Sequence, residues 1–92
     1  MKSRIDVPLT HACFEHHFPD AAVIPGALLL SWVLSRLGQE HNIQVAGIKH
    51  FKFLKPVLPG EVCDVHFVAE SGKVAATIEV ENTLVAKGQF LL

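Results

Sequence analysis

Residues 14–37 constrain the fold of this chain more than any other segment. They begin beside a pair of adjacent histidines, pass through two proline turns, and end in a run over residues 27–34 that is apolar on almost every side. A helix that is apolar all round is typically buried. Because a chain of 92 residues rarely encloses a helix unless a sheet wraps it, the segment predicts a helix inside a curled sheet. The histidines mark a candidate site at the start of that helix.

The length of the chain fits one small domain over residues 1–92, near the lower limit of what a single core can stabilise. Half of the residues are hydrophobic, so we expect part of the apolar surface to pack against a second subunit. The net charge of −1 and the absence of a run of Lys or Arg argue against nucleic acid as a partner.

The two cysteines, Cys13 and Cys63, form neither a CxxC pair nor a zinc-binding spacing. The N-terminal residues show no apolar segment of the signal-peptide type, so we expect a cytoplasmic protein with reduced thiols. The longest apolar run, residues 21–34, contains Pro25 and is too short to span a bilayer. We therefore expect no disulfide, no metal site and no membrane partner.

Outside the predicted helix the hydrophobic pattern alternates, which is typical of strands. Pro25 suits the first turn of the helix, and Gly38 predicts its end after Leu37. A helix followed by strands joined through short turns packs on one face of an antiparallel sheet. The sequence thus predicts an α+β fold, a curled five-stranded sheet around one central helix, with sheet edges free to pair with a second copy. The predicted strands cover residues 3–9, 43–55, 61–70, 73–81 and 84–92, with turns at 56–60, 71–72 and 82–83, a short helical turn at 10–14 and a loop at 16–26.

Two ordered segments resemble a known enzyme family. The first, HFPDAAVIPGALLL over residues 17–30, is similar to the HFPGxPxxPGxLxxE signature of the FabZ/FabA-type 3-hydroxyacyl-acyl carrier protein dehydratases. The second follows the family's I-x-x-x-(K/R)-F-x-x-P-V-x-P-G-(D/E) segment. The resemblance covers residues 14–70 and implies the hot-dog fold, a sheet wrapped around a long central helix, in agreement with the periodicity. The matching residues of the second segment are Ile48, Phe51, Phe53, Pro56, Val57, Pro59, Gly60 and Glu61.

The resemblance also implies a site that eliminates water from a 3-hydroxyacyl thioester. This reaction needs a base for the C2 proton, an acid for the leaving hydroxyl and donors for the enolate-like oxygen. His17 takes the position of the family's base. The backbone N–H groups of Gly26 and Ala27 correspond to the oxyanion donors, a role suited to the free N–H groups of a helix N-terminus. Pro25 has no N–H and leaves room for the thioester.

The chain departs from the family at the acid. The family carries Glu or Asp fourteen residues after the catalytic histidine, and Ser31 occupies that position here. No Asp or Glu lies within residues 21–39 to replace it. Ser31 could bond to a carbonyl one helical turn earlier, orient a water or substrate hydroxyl, or act as a nucleophile, although no third group that would orient it is evident. Glu15 and Asp20 are the carboxylates nearest to His17 in the sequence.

The residues leave three functions open. The first is a dehydratase of fatty-acid or polyketide-type biosynthesis, acting on thioesters carried by the phosphopantetheine of acyl carrier protein or by coenzyme A, with no other cofactor. In this family the site is built across a dimer, with histidine from one subunit and carboxylate from the other. The second function is therefore a non-catalytic or half-catalytic partner subunit. A homodimer would lack the acid in both sites, whereas a heterodimer with a carboxylate-bearing relative would complete one. The third is a hot-dog acyl thioesterase.

Overall fold

A computed structural model of the protein describes residues 1–9 and 24–92. The predicted helical turn, the histidine pair, Cys13, Glu15 and Asp20 lie outside the described residues. The described part contains one helix and five strands. In chain order they are β1 (Lys2–Asp6), α1 (Gly26–His41), β2 (Gly47–Phe53), β3 (Val62–Glu70), β4 (Lys73–Val80) and β5 (Thr83–Leu91).

The strands form one antiparallel sheet in the order β1-β3-β4-β5-β2. Because side chains alternate between the two faces of a strand, every second residue packs towards the core throughout β4 and in β3 as far as Phe67, whereas Ala69 is exposed. The helix contributes Leu29, Val33 and Leu37, which lie four residues apart on one face. This arrangement confirms the predicted α+β fold, one helix on a curled five-stranded sheet. The inward-facing residues of β3 and β4 are Cys63, Val65, Phe67, Val74, Ala76, Ile78 and Val80.

The sheet covers only one side of α1, so the helix is less enclosed than its composition predicts. Ala27, Ser31 and Ser35, also four residues apart, are exposed on the opposite face. Leu30 and Leu34 are half-buried between the two faces. The reason is geometric: five strands that curl against the helix reach around the Leu29–Leu37 face but not around the serine face.

The helix ends at His41 and not at the predicted Gly38. Asn42 adopts the left-handed conformation, with φ 54°, and its N–H donates to the carbonyl of Leu37. The N–H of Ile43 donates to the same oxygen at 3.0 Å. A glycine inside a helix costs only about 1 kcal/mol relative to alanine, so a left-handed Asn four residues later decides the end.

The extra helical turn is attached to β1. The hydroxyl of Ser3 donates to Oε1 of Glu40 at 2.6 Å and lies 2.9 Å from Nε2 of His41. The His41 ring packs edge-on against Phe67, with ring centroids 5.5 Å apart. The last turn of α1 therefore closes the core at the β1 side of the sheet.

Two predicted strands are longer than the observed ones, β1 at its C-terminal end and β2 at both ends. β1 ends at Asp6, and Leu9, which the alternation predicts to face the core, is 77% exposed. The backbone of Val7 instead bonds with Gly60 and Glu61 just before β3. β2 begins at Gly47, because residues 43–46 form the connection from the helix cap. The register of β2 with β5 starts at Gly47.

A bulge in β2 corrects one further prediction. The pairing of β2 with β5 shifts register between Ile48 and His50. Strict alternation over the predicted strand would put Lys49 on the same face as Phe51 and Phe53. As the extra residue of the bulge, Lys49 is moved out of phase with them and lies beside Lys73. Within the described ranges, no helix is long and apolar enough to cross a membrane.

Candidate functional site

The two segments that carry the family resemblance meet at the N-terminus of α1. The N–H of Ile24 donates to the carbonyl of Val57 at 2.8 Å, which ties the residues before the helix to those after β2. The N–H groups of Leu54 and Lys55 both donate to the carbonyl of Val85 and hold this part of the chain against β5. Together these segments enclose a pocket of about 340 Å³. It is lined by Ile24, Gly26, Leu29, Phe53, Leu54, Lys55, Pro56 and Val57.

Gly26 is required by the close approach of Phe53. A Cβ atom at position 26 would lie 2.6 Å from Cε2 of the Phe53 ring, well inside van der Waals contact. The ring cannot easily retreat, because it packs against Phe51 with centroids 4.9 Å apart, and Phe51 stacks on the buried Phe90. A side chain at position 26 would therefore push apart the helix and β2 and reshape the pocket.

The first turn of α1 presents backbone donors beside this pocket. Pro25 precedes the helix with φ −57° and ψ 138°, and no side chain caps the helix. Its carbonyl accepts from Leu28 at 3.0 Å and Leu29 at 3.2 Å. The N–H groups of Gly26 and Ala27 bond to no residue that the structure describes. A helix N-terminus of this kind attracts negative charge.

The pocket contains no acid among its described lining residues. Its single charged lining residue is Lys55. The nearest carboxylate in the sequence after β2, that of Glu61, accepts the N–H of Leu58 at 2.6 Å and so stabilises the turn before β3. A carboxylic acid that could protonate a leaving hydroxyl is therefore missing from the described lining of the pocket.

Ser31 lies outside the pocket of its own chain. It is exposed on the face of α1 that points away from the sheet, and its hydroxyl makes no hydrogen bond within the described ranges. Its position instead places the side chain where a second subunit could contact it.

The predicted site residues are distributed as follows. Gly26 lines the pocket, with Pro25 and Ala27 exposed at its margin. His17 lies outside the described residues, so its role as a base stays a prediction. Phe53 was not predicted as a site residue, and it is 48% exposed and forms a wall of the pocket. The signal that could have located it is the second matching segment, which contains the wall residues.

Cys63 carries no chemistry at this site. The thiol of Cys63 is free and fully buried, and burial, followed by the charges of Glu61 and Asp64, raises its pKa to about 11. A thiol with so high a pKa remains protonated near neutral pH and is a poor nucleophile. In the part of the chain that the structure describes, no cluster of His, Cys, Asp and Glu could hold a metal ion.

Comparison with known proteins yields one family and a set of relatives. Residues 1–89 match the ApeI-like family, described as ApeI dehydratase. The chain is 27% identical over 98 residues to the 3-hydroxyacyl-[acyl-carrier-protein] dehydratase FabZ of Protochlamydia amoebophila, covering 92% of the chain and 64% of the relative. It is 33% identical over 97 residues to the FabZ of Streptococcus suis, covering 90% of the chain and 69% of the relative. With an Actinobacillus succinogenes FabZ included, the chain spans 51–69% of the length of these relatives.

Solved structures share the hot-dog fold at low identity. A protein from Erwinia carotovora superposes with a TM-score of 0.81 at 17% identity, over 98% of this chain and 79% of that one. The dehydratase heterocomplex ApeI:P from Xenorhabdus doucetiae gives a TM-score of 0.77 at 17% identity, over 98% and 83%. An acyl-CoA hydrolase from Staphylococcus aureus in complex with butyryl coenzyme A gives 0.60 at 18% identity, over 98% and 59%.

Proposed function

Because the chain belongs to the ApeI-like dehydratase family, we propose that it is a subunit of a dehydratase acting on 3-hydroxyacyl thioesters. In this proposal His17 is the base, and a second, carboxylate-bearing subunit supplies the acid. The observation that carries it is the pocket at the N-terminus of α1, which has backbone donors beside it and no carboxylate among its described lining residues.

The proposed reaction removes one water molecule. His17 takes the proton from C2 of the acyl chain, and negative charge develops on the thioester oxygen. The N–H groups of Gly26 and Ala27 stabilise that charge, because a helix N-terminus offers free donors and the positive end of the helix dipole. The acid protonates the 3-hydroxyl as the C3–O bond breaks. The products are a 2-enoyl thioester and water.

The carrier proposed for the substrate is the phosphopantetheine of an acyl carrier protein or coenzyme A. The FabZ relatives support the former, since their names specify an acyl carrier protein. The pocket walls support an acyl chain near the helix, because Ile24, Leu29 and Val57 are apolar. They surround the place where the thioester would meet the donors of the first turn.

The position of Ser31 supports a second subunit. The residue that replaces the family's acid faces away from the pocket of its own chain. Two identical copies would each present Ser31 to the other, so neither site would contain the acid. A relative with Glu or Asp at this position would complete the site that contains His17. The heterocomplex of the Xenorhabdus doucetiae structure supports this assembly.

The proposal is tested by restoring the acid. The assay follows hydration of a 2-enoyl thioester, and dehydration of the 3-hydroxyacyl form, with the purified chain alone. We expect little turnover by the wild type and a gain of about 10²-fold or more in Ser31→Glu, the usual contribution of a positioned general acid. Ser35→Glu is the matched control, because Ser35 is exposed one turn further along the same face. It should restore nothing.

His17→Ala completes the design. Introduced into Ser31→Glu, it should abolish the restored turnover if His17 is the base. Full activity of the wild type alone, unchanged in Ser31→Glu, would contradict an acid supplied by a partner. Release of free thiol without formation of an enoyl product would identify a thioesterase instead.

A further inference from the structure

The open edge of β2 carries positive charge and no negative charge. β2 pairs only with β5, so the described part of the chain leaves its other edge unpaired. Lys49 and Lys52 lie on β2, Lys55 follows it, and Lys87 lies on β5. Neither residues 47–55 nor residues 83–92 include an Asp or Glu.

Like charges face each other across these strands. Lys52 is directly opposite Lys87 in the β2–β5 pairing. Lys49 lies beside Lys73, and a hydrogen bond with Lys73, together with repulsion between the two charges, lowers the pKa of Lys49. Lys73 has Glu70 opposite it in β3, but no lysine forms an ion pair in the part of the chain that the structure describes. Like charges at directly opposite positions destabilise a sheet.

The same edge exposes large apolar side chains. Ile48 on β2, Phe53 at its end and Leu54 after it are each about half exposed, at 47%, 48% and 48%. An unpaired strand with exposed apolar residues is a surface that another strand can cover. The apolar residues therefore favour a partner at this edge, and the lysines restrict which partner can fit.

A second copy of this chain fits the edge poorly. When two identical strands pair antiparallel, residues on the outer face of one lie against residues on the outer face of the other. The charged residues on this face of β2 are lysines, and His50 is the other titratable group there. Because residues 47–55 contain no Asp or Glu, no register of self-pairing places a carboxylate of β2 opposite Lys49 or Lys52, and the charged side chains that it can place there are lysines.

We propose that β2 selects the edge strand of a non-identical hot-dog subunit that carries Asp or Glu opposite Lys49 and Lys52, and disfavours pairing with itself. Carboxylates at those positions would relieve the repulsion from Lys73 and Lys87 as well as form new ion pairs. Repulsion in the wrong pair and attraction in the right one together produce specificity. The inference rests on the proposed function only in taking the partner to be the subunit that supplies the acid.

The test uses a charge-reversed copy of the chain as the probe. Lys49→Glu/Lys52→Glu presents an acidic β2 edge on the same backbone. Dissociation constants are measured by sedimentation velocity for each protein alone and for a 1:1 mixture with one of them fluorescently labelled, at about 50 mM and about 500 mM NaCl. At low salt we expect the mixed pair to bind at least about tenfold more tightly than either protein binds itself. The advantage should shrink at high salt, where self-association of the wild type should strengthen.

Lys2→Glu is the matched control. Lys2 is at the other edge of the sheet, in the same cross-strand row as Lys52 through His66, Thr77 and Lys87. Mixed with the wild type it should give no tighter binding. Lys52→Gln, which removes a charge without reversing it, should strengthen self-association. It also serves as a second test if the double variant does not fold, as judged by circular dichroism.

A tight wild-type homodimer that salt does not affect, with no gain on mixing, would overturn the inference. So would an equal gain with Lys2→Glu, or absence of association in the mixture. These measurements are independent of turnover. Ser31→Glu is assayed at a protein concentration at which sedimentation shows it to be dimeric. Its failure to restore activity then counts against the proposed function and leaves the edge selectivity standing, and the reverse also holds.

Discussion

The two edges of the sheet differ in how far contacts within the chain stabilise them. At β1, Arg4 and Asp6 form an ion pair of 2.9 Å, Ile5 is buried, and the Ser3 hydroxyl bonds to the last turn of α1. At β2, the charges are all positive and the apolar side chains are about half exposed. The β1 edge is therefore stabilised by contacts within the chain, whereas the β2 edge is the one at which we propose that a partner binds.

Replacement of an isoleucine by alanine should give the largest difference in the free energy of unfolding between the two edges. Ile5→Ala on β1 removes a side chain that is 3% exposed, so we expect it to lower the free energy of unfolding by about 2–4 kcal/mol. Ile48→Ala on β2 removes one that is 47% exposed, and the expected loss is below about 1 kcal/mol. Urea unfolding at micromolar protein concentration measures both. Equal losses would show that the β2 edge is already packed in the isolated chain.

The core beneath the β1 edge should give stability a pH dependence. Cys63 is opposite Ile5 in β3, and its pKa is raised to about 11 in the folded protein, first by burial. The unfolded thiol loses its proton from about pH 8.5, so the unfolded state binds fewer protons in this range. Stability should therefore fall as the pH rises from about 8.5 to about 11. Urea unfolding across this range should show a smaller fall in Cys63→Ala. Parallel pH profiles for the two proteins would refute the assignment.

The smallest effects should have opposite signs at the two edges. Arg4→Gln removes a solvent-exposed ion pair, so we expect a loss of stability below about 1 kcal/mol. Lys52→Gln removes the repulsion with Lys87, so we expect a gain of a few tenths of a kcal/mol. Thermal unfolding at low salt measures both changes, and about 0.5 M NaCl should reduce each of them. A loss in Lys52→Gln would mean that Lys52 has a favourable contact within the chain.

Local patterns predicted the interior well and the ends of elements poorly. The alternation in β3 and β4 identified the inward residues Val65, Phe67 and Ile78, because a period of two separates the two faces of a strand wherever one face is buried. The predicted end of α1 was wrong, because Asn42 in the left-handed conformation, and not Gly38, forms the C-cap. No pattern in the sequence distinguishes those two residues, since both are frequent at helix ends.

The candidate site shows the same division. The family motifs predicted that α1 begins at Gly26, because a Pro-Gly pair before an apolar run indicates a helix start in the sequence alone. They did not identify the contact between Gly26 and Phe53, which joins residues 27 positions apart. That contact depends on how closely β2 approaches the helix, which local sequence does not encode.

Hydrophobic periodicity was sufficient for the fold class, and the motifs were sufficient for the family and for the missing acid at Ser31, because each is a local property of the chain. The lysine edge is different. Lys52 and Lys87 are 35 positions apart in a chain without any basic run, and only the pairing of β2 with β5 brings them together. Pairing order and register arise from the packing of the whole sheet, so the tertiary structure alone reveals that these lysines lie together at one edge.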